Sequence, residues 1–301
     1  MIKKWISAFR LKTLPLSFSC ILVGNFLGFN SDYFSWTLLG LALLTTLFLQ
    51  ILSNLANDLG DAMKGVDNEF RIGPERAIQS GKITVDEMKI AVIVFSILSL
   101  ISGLGLIFSA FNYSQAGWLL LFFFIGLAAI AAAIFYTVGK KPYGYRALGD
   151  LFVLVFFGWV GVLGSNFLQT KELLLLNLLP ATSIGLMAVG VLNMNNIRDL
   201  KTDKSSGKIT IPVLLGAQKA KIYHAMIIVL GLLCLLTYSL ISFQNWWQYL
   251  YFLITIPFFI NLKVVFENKD ARLLNPELKR VALTTFFISL GFSISLVLRY
   301  L

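Results

Sequence analysis

The chain has 301 residues, 57% of them hydrophobic and only 13% charged, with a mean hydropathy of +0.80 and a formal net charge of +10. Soluble domains carry about a quarter charged residues, and a soluble fold of this length cannot hide so much apolar surface, so a lipid bilayer must cover the excess. The basic balance does not point to nucleic acid, because Lys and Arg sit in short loops between apolar runs, where they act as topology signals.

Apolar runs long enough to span fall at 14–30, 36–57, 88–110, 116–137, 148–168, 172–194, 222–243, 246–266 and 280–299. They predict an all-α membrane protein of nine helices forming a single polytopic domain over 1–301. The first run follows a basic start but lacks a small-residue cleavage site, so it reads as a retained helix and not a signal peptide. Cys20 and Cys234 lie in apolar stretches far apart and read as packing residues. Gly24, Gly103, Gly105, Gly158 and Gly161 suit close helix packing. His224, the only histidine, reads as a helix-interface residue.

Basic residues set the orientation. All 25 Lys and Arg residues except Lys171 and Arg299 fall at the N-terminus or in the loops and flanks after helices 2, 4, 6 and 8. That asymmetry predicts a cytoplasmic N-terminus and cytoplasmic loops, in a bacterial inner membrane. Acids have little influence on topology, yet all 15 except Asp32 and Glu172 share the same face. Something on that face needs carboxylates beside cations.

Two segments supply them. At the end of helix 2 the chain reads Asn54-Leu-Ala-Asn57-Asp58-Leu-Gly-Asp61, with Asp67 beyond. Positions 54, 58 and 61 share one helix face. At the end of helix 6 come Asn193, Asn195, Asn196, Arg198, Asp199 and Asp203, with 195, 199 and 203 again on one face. Carboxylates and carboxamides at a water–lipid boundary make a hard-oxygen site that suits magnesium, which is often shared with substrate phosphates. Cations that suit a diphosphate lie nearby: Arg71 and Arg76 after the first cluster, Lys140 and Lys141 after helix 4, and Arg198 and Lys208 around the second. Tyr136, Tyr143 and Tyr145 offer ring faces to a developing carbocation. The tetrapeptide Gly-Lys-Ile-Thr occurs at 81–84 and again at 207–210, a hint of two related halves. No Ser-His-Asp set, P-loop or Gly-rich dinucleotide motif is present in the sequence.

The strings Asn57-Asp58-x-x-Asp61 and Asp199-x-x-x-Asp203 resemble the two Asp-rich motifs of the UbiA superfamily of intramembrane prenyltransferases. Within it, the likeness is to the 1,4-dihydroxy-2-naphthoate branch. It is carried by Ser53 to Asp61, Arg71-Ile-Gly-Pro-Glu-Arg76, Lys141 to Asp150, Asn195 to Asp203 and the opening Arg10-Leu-Lys-Thr-Leu-Pro15. It runs from about residue 10 to 216, and the last helices are generic. Two departures are visible. The superfamily's first motif closes with an Asp four residues after the second one, where this chain has Gly65 and then Asp67. One extra residue separates Tyr136 from Lys140, so either Lys140 or Lys141 is left to contact phosphate.

The resemblance implies nine helices in two four-helix halves plus one, around a lipid-open cavity with a polar cytoplasmic cap. It implies Mg2+ held by Asp58, Asp61, Asp199 and Asp203 with Asn57 and Asp67, binding a polyprenyl diphosphate. Asn54, Arg71, Arg76, Tyr136, Lys140, Lys141, Tyr143, Asn195, Asn196, Arg198 and Lys208 are the implied catalytic and substrate contacts. The implied reaction prenylates 1,4-dihydroxy-2-naphthoate with loss of diphosphate and carbon dioxide, giving demethylmenaquinone. Another aromatic or lipid acceptor within the superfamily is the nearest rival. A cation-coupled transporter is the rival from another class, but it would place its carboxylates at the membrane midplane. No obligate protein partner is evident in the sequence.

Overall fold

A computed structural model describes residues 2–29, 34–66 and 72–298. Asp67 and Arg71, read above as a metal ligand and a diphosphate contact, lie outside the described residues.

Among the described residues, nine helical segments are long and apolar enough to cross a membrane. They are α1 Lys4–Leu27, α2 Trp36–Met63, α3 Val85–Ala110, α4 Tyr113–Phe135 and α5 Gly149–Thr170, then α6 Leu175–Arg198, α7 Ile211–Ser242, α8 Trp246–Glu267 and α9 Ala271–Val297. The bundle closes on itself, because α9 packs against α1 as well as against α6 and α8.

Boundaries differ from the apolar runs where helices continue past the hydrocarbon. Helix α2 extends to Met63, so Asp58 and Asp61 sit within it. Helix α7 begins at Ile211, well before the run at 222, with Pro212 in its first turn and a break at Gly216 (φ 75°) before the long membrane segment. Hydropathy misses both extensions because Asp, Gln and Lys there are helical but polar.

Three of the five glycines read as packing positions serve that purpose. A Cβ on Gly158 of α5 would lie 2.7 Å from the Ala181 carbonyl oxygen and 3.0 Å from Gly185 of α6. One on Gly24 would lie 2.3 Å from the Val162 carbonyl oxygen, and one on Gly161 would meet Cys20. Helices α1, α5 and α6 therefore meet backbone to backbone, as small residues allow in lipid. Gly103 and Gly105 do not share this role: the first comes no nearer than 3.8 Å to Thr45, and the second faces open space.

The surface is that of a lipid-embedded body. On α3 the exposed side chains Ile90, Ile93, Val94, Ile97, Ile101 and Phe108 form one stripe. Trp36, Tyr113, Trp118, Trp246 and Trp247, at the starts of α2, α4 and α8, make an aromatic belt at one end. The opposite end carries most of the acids and cations.

Gly158→Val is expected to lower the melting temperature in detergent, with an overpacking cost of about 1–3 kcal/mol. Gly105→Ala is expected to be neutral or slightly stabilising. Equal loss in both variants, measured by thermal unfolding, would contradict the backbone-contact assignment.

Candidate functional site

The helix face predicted on α2 forms as expected and is buried. Asp58 and Asp61 are each 1% exposed, although both are acids at the edge of an apolar bundle. Such burial requires compensating charge. Arg76, itself 7% exposed, reaches back from the loop after α2 and supplies it. Its Nη2 lies 2.8 Å from Asp61 Oδ2, its Nη1 lies 3.4 Å from Asp58 Oδ1, and Nη1 also donates to the Asn57 carbonyl at 2.9 Å. Arg10 pairs with the same Asp58 Oδ1. Its backbone is left-handed (φ 48°), turning the chain sharply out of the short helix Ile2–Phe9. A non-glycine residue held there costs about 1–3 kcal/mol, so neighbouring contacts must hold the turn.

Asn54 serves a different purpose from the carboxylates. Its Nδ2 donates to the Phe9 carbonyl and to Thr13 Oγ1 at 2.9 and 3.0 Å, tying the start of α1 to α2. Asn57 keeps its Oδ1 without a hydrogen-bond partner.

The second segment is not one continuous helix. Helix α6 ends at Arg198, Asp199 is the junction (φ −90°, ψ 7°), and a short helix runs Leu200–Ser205. The four-residue spacing survives because the Asp199 amide donates to the Asn195 carbonyl and the Asp203 amide to the Asp199 carbonyl. Arg198, 3% exposed, forks onto Asp199 through Nε and Nη2 at 2.7 and 2.6 Å. It also donates to Asn195 Oδ1 and to Asn275 Oδ1 of α9. Buried Lys208 lies 3.7 Å from Asp203 Oδ1. Asn196 is 2% exposed with its Oδ1 unpartnered.

One residue joins the clusters. Tyr145 donates its hydroxyl to Asp61 Oδ1 at 2.6 Å. Its ring carries the ammonium groups of Lys64 and Lys208, each 5.4 Å from the centroid. A link therefore runs from Asp61 through Tyr145 to Lys208 and Asp203. The loop bearing Tyr145 is fixed by a parallel bridge between Arg146 and Ile209, in which the Ala147 amide donates to the Ile209 carbonyl at 2.8 Å and the Ile209 amide to the Tyr145 carbonyl at 3.2 Å. Gly60 makes room on the other side: a Cβ there would lie 2.5 Å from the Thr137 carbonyl carbon, while Thr137 Oγ1 donates to the Ala56 carbonyl.

Tyr136 sits between the clusters. Burial pushes its phenol pKa up, and the negative charges of Asp61, Asp150 and Asp203 push the same way, with Arg76 opposing. Tyr143 is also pushed up, by burial and then by Tyr136. Both rings stay neutral. They meet edge to face at 5.4 Å, and Tyr143 stacks on Phe152 at 4.0 Å, so an aromatic wall leads from the carboxylates into α5.

The structure leaves Lys140 and Lys141 exposed and outside these ion pairs. The chain turns outward at Gly139 (φ 103°), and Lys140 lines a shallow depression with Lys64, Met63 and Gly60. Lys64 and Lys208 hold the Tyr145 ring instead. The roles of Arg10, Lys64 and the Tyr145 hydroxyl escaped the sequence reading. Arg10 counted as a topology signal and the first letter of a matching string, Lys64 as a topology signal, and Tyr145 as a ring. Asp150, buried and accepting from Tyr223 at 2.9 Å, was likewise visible only as the last letter of a string.

The donor set fits a magnesium ion. No three His, Cys, Asp or Glu residues converge among the described residues. Magnesium, however, takes only one or two protein carboxylates when phosphate and water complete its shell. Asp58 Oδ2, Asn57 Oδ1 and Asn196 Oδ1 are oxygens without hydrogen-bond partners.

A family model described as the UbiA prenyltransferase family matches residues 17–297. The chain belongs to the UbiA prenyltransferase family. Its similarity extends to the 1,4-dihydroxy-2-naphthoate octaprenyltransferase of Escherichia coli, 44% identical over 97% of this chain and 95% of the relative. The protein of the same name from Haemophilus influenzae is 41% identical over 99% and 96%. Among solved structures, a UbiA homolog from Aeropyrum pernix aligns with a TM-score of 0.70 at 15% identity, covering 97% of this chain and 99% of that one. A UbiA homolog from Archaeoglobus fulgidus bound to GPP and Mg2+ aligns with a TM-score of 0.67 at 17% identity, covering 98% and 99%. The UbiA fold is thus shared despite low identity to the solved members.

Arg76→Met removes the cation shared by two buried carboxylates and is expected to destabilise the protein by about 3–5 kcal/mol. Adding Asp61→Asn should recover part of that loss, as read by thermal unfolding. If the double variant is less stable than Arg76→Met alone, the charge-balance account fails.

Proposed function

We propose that the protein is a magnesium-dependent 1,4-dihydroxy-2-naphthoate polyprenyltransferase of menaquinone synthesis. It transfers the prenyl chain of a polyprenyl diphosphate to the naphthoate ring. The observation that carries this reading is the conjunction of two Asp clusters linked through Tyr145 and Lys208 with relatives of that name at 44% and 41% identity over nearly the whole chain. The basic-residue asymmetry supports a site facing the cytoplasm in a bacterial inner membrane. A prenyl donor and a product that partition into lipid suit an enzyme built within the bilayer.

Asp58, Asp61, Asp199 and Asp203, with Asn57, are the residues that would hold magnesium; Asp67 joins them, and Arg71 joins the diphosphate contacts, on the sequence resemblance alone. Magnesium bound there supplies Lewis-acid stabilisation of the departing diphosphate. Each of the four carboxylates already faces a cation: Arg10 and Arg76 serve Asp58 and Asp61, Arg198 serves Asp199, and Lys208 serves Asp203. The site is therefore close to neutral, and metal and diphosphate are best accommodated together. When they bind, Arg76, Arg198 and Lys208 lie where they can turn from carboxylate to phosphate oxygens, Arg through its planar fork and Lys as a point charge. Lys140 and Lys141 are near enough in sequence to the Tyr136 turn to join them from the exposed rim. Asn195, Asn196 and Asn54 orient the neighbouring groups.

As the allylic carbon–oxygen bond breaks, positive charge develops on the prenyl carbon. The neutral rings of Tyr136 and Tyr143 offer their electron-rich faces to it and cannot capture it as phenolates. The naphthoate ring attacks through its carboxylate-bearing carbon. Loss of carbon dioxide returns the electron pair to the ring, giving the quinol form of demethylmenaquinone, whose oxidation to the quinone is a separate step.

Purified protein with magnesium should prenylate dihydroxynaphthoate and release carbon dioxide, and should stop in EDTA. Asp58→Ala and Asp199→Ala should each abolish turnover in folded protein. Activity with 4-hydroxybenzoate alone would move the acceptor assignment, and retained turnover in either variant would refute the metal site. Tyr145→Phe keeps the ring beneath Lys64 and Lys208 but loses a hydrogen bond to a charged group, a contribution of about 1.5–3 kcal/mol. It should therefore lower the melting temperature by a few degrees and, with Asp61 no longer oriented by the hydroxyl, raise the magnesium concentration needed for half-maximal rate. An unaltered magnesium requirement would remove Tyr145 from the site.

A further inference from the structure

On the lipid-facing side of α8 and α9 lies a groove of about 410 Å3 that takes no part in the chemistry above. Its walls are Ile254 and Pro257 of α8 and Leu283 and Phe287 of α9, and its mouth carries Lys279 and Arg280. The volume falls within the roughly 300–1,000 Å3 of ordinary ligand sites.

The helices are separated here for a local reason. Helix α8 is wound as a 3-10 helix over Trp246–Thr255 and becomes α-helical at Ile256, with Pro257 in the first turn. A 3-10 segment is slimmer and rises faster per residue, so the side-chain register against α9 changes at the junction. On one side of the junction the helices touch closely, where a Cβ on Gly291 would lie 2.8 Å from Tyr251 Cβ. On the other side Asn261 Nδ2 donates to Glu277 Oε2 at 2.9 Å. The groove is the gap between these two closures.

Its dimensions match one leaflet. Pro276, at the mouth, and Phe287 are about 16 Å apart along α9 at about 1.5 Å per residue, half of a hydrocarbon core of about 30 Å. The mouth lies at the end of the bundle that holds the carboxylates, since Asn275 beside it hydrogen-bonds Arg198. Arg280 Nη1 donates to Glu277 Oε1 at 2.5 Å, and Glu277 is 3% exposed and already holds Asn261, so that carboxylate is satisfied on both oxygens. Lys279 is exposed, and its charge is left over. The mouth is thus positive, and the interior is a strip of aliphatic and aromatic carbon.

We propose that this groove binds an anionic phospholipid of the leaflet on the carboxylate side, with one acyl chain between α8 and α9 and the phosphate on Lys279 and Arg280. Basic pockets between membrane helices at this depth recognise anionic headgroups, and the free guanidinium N–H groups of Arg280 suit a phosphate oxygen pair. The groove lies outside the catalytic machinery, so the proposal stands or falls independently of the acceptor assignment.

The test is native mass spectrometry of the detergent-purified full chain, titrated with phosphatidylglycerol or with phosphatidylcholine of identical acyl chains. The wild type should retain phosphatidylglycerol selectively. Lys279→Glu should weaken that retention by about tenfold, taking roughly 1 kcal/mol per surface basic residue lost and a repulsion added. Leu283→Trp, which fills the apolar strip without altering charge, should weaken both lipids. Lys89→Glu, on α3 at the same end of the bundle, should behave as wild type. The proposal is overturned if Lys279→Glu keeps its selectivity, or if Lys89→Glu loses as much. It is also overturned if inorganic phosphate alone competes fully, or if a second copy of the chain occupies the face in place of lipid.

Discussion

Four carboxylates, none more than 7% exposed, lie at the edge of an apolar helix bundle, and their charge must be neutralised within the protein. Removing an ion from water costs several kcal/mol even after relaxation, so each carboxylate constrains where a cation and its supporting backbone can be. Arg10 is held by a strained left-handed turn, Arg76 by a loop folded back over α2, Arg198 by Asn195 and Asn275, and Lys208 by the ring of Tyr145. The polar end of the molecule is organised around this compensation. The rest of the bundle, with its glycine contacts and lipid-facing apolar stripes, holds those helix ends in register.

The two halves of the site are joined by a loop and not by helix packing alone. The Arg146–Ile209 bridge fastens the segment after α4 to the segment after the second Asp cluster, and Tyr145 projects from it to reach Asp61. Close approach at Gly60 lets the Tyr136–Thr137 turn settle directly on α2. Tyr136 then experiences Asp61 and Asp203 at once. The groups assembled this way present oxygen ligands, cations and neutral aromatic faces together. That combination suits departure of a diphosphate beside a developing carbocation.

Much of this was legible in the sequence, and for identifiable reasons. The nine spans follow from hydropathy, and the single charged end follows from the placement of Lys and Arg. The pairing of Asp58 with Asp61 follows from helix periodicity. What the sequence did not reveal depends on contacts across long separations. Arg10 and Asp58 are far apart in the chain, as are Tyr145 and Asp61, and no local pattern distinguishes a tyrosine that caps a carboxylate from one at a membrane interface. The helix break at Asp199 was hidden because its four-residue hydrogen-bond spacing continues through the junction. The exposed placement of Lys140 and Lys141 was not legible either, because spacing after Tyr136 says nothing of the turn at Gly139. The last helices looked generic, yet Asn275 touches the site because α9 returns to the same end of the bundle.

The most direct test of a single site built from both Asp clusters is calorimetric binding of a non-hydrolysable prenyl thiolodiphosphate, with and without magnesium, to wild type, Asp61→Ala and Asp203→Ala. The account predicts tight binding only when magnesium is present, and its loss in each variant, since the two clusters share one ligand. Magnesium-dependent binding that survives removal of either carboxylate would show that the clusters act separately and would contradict it.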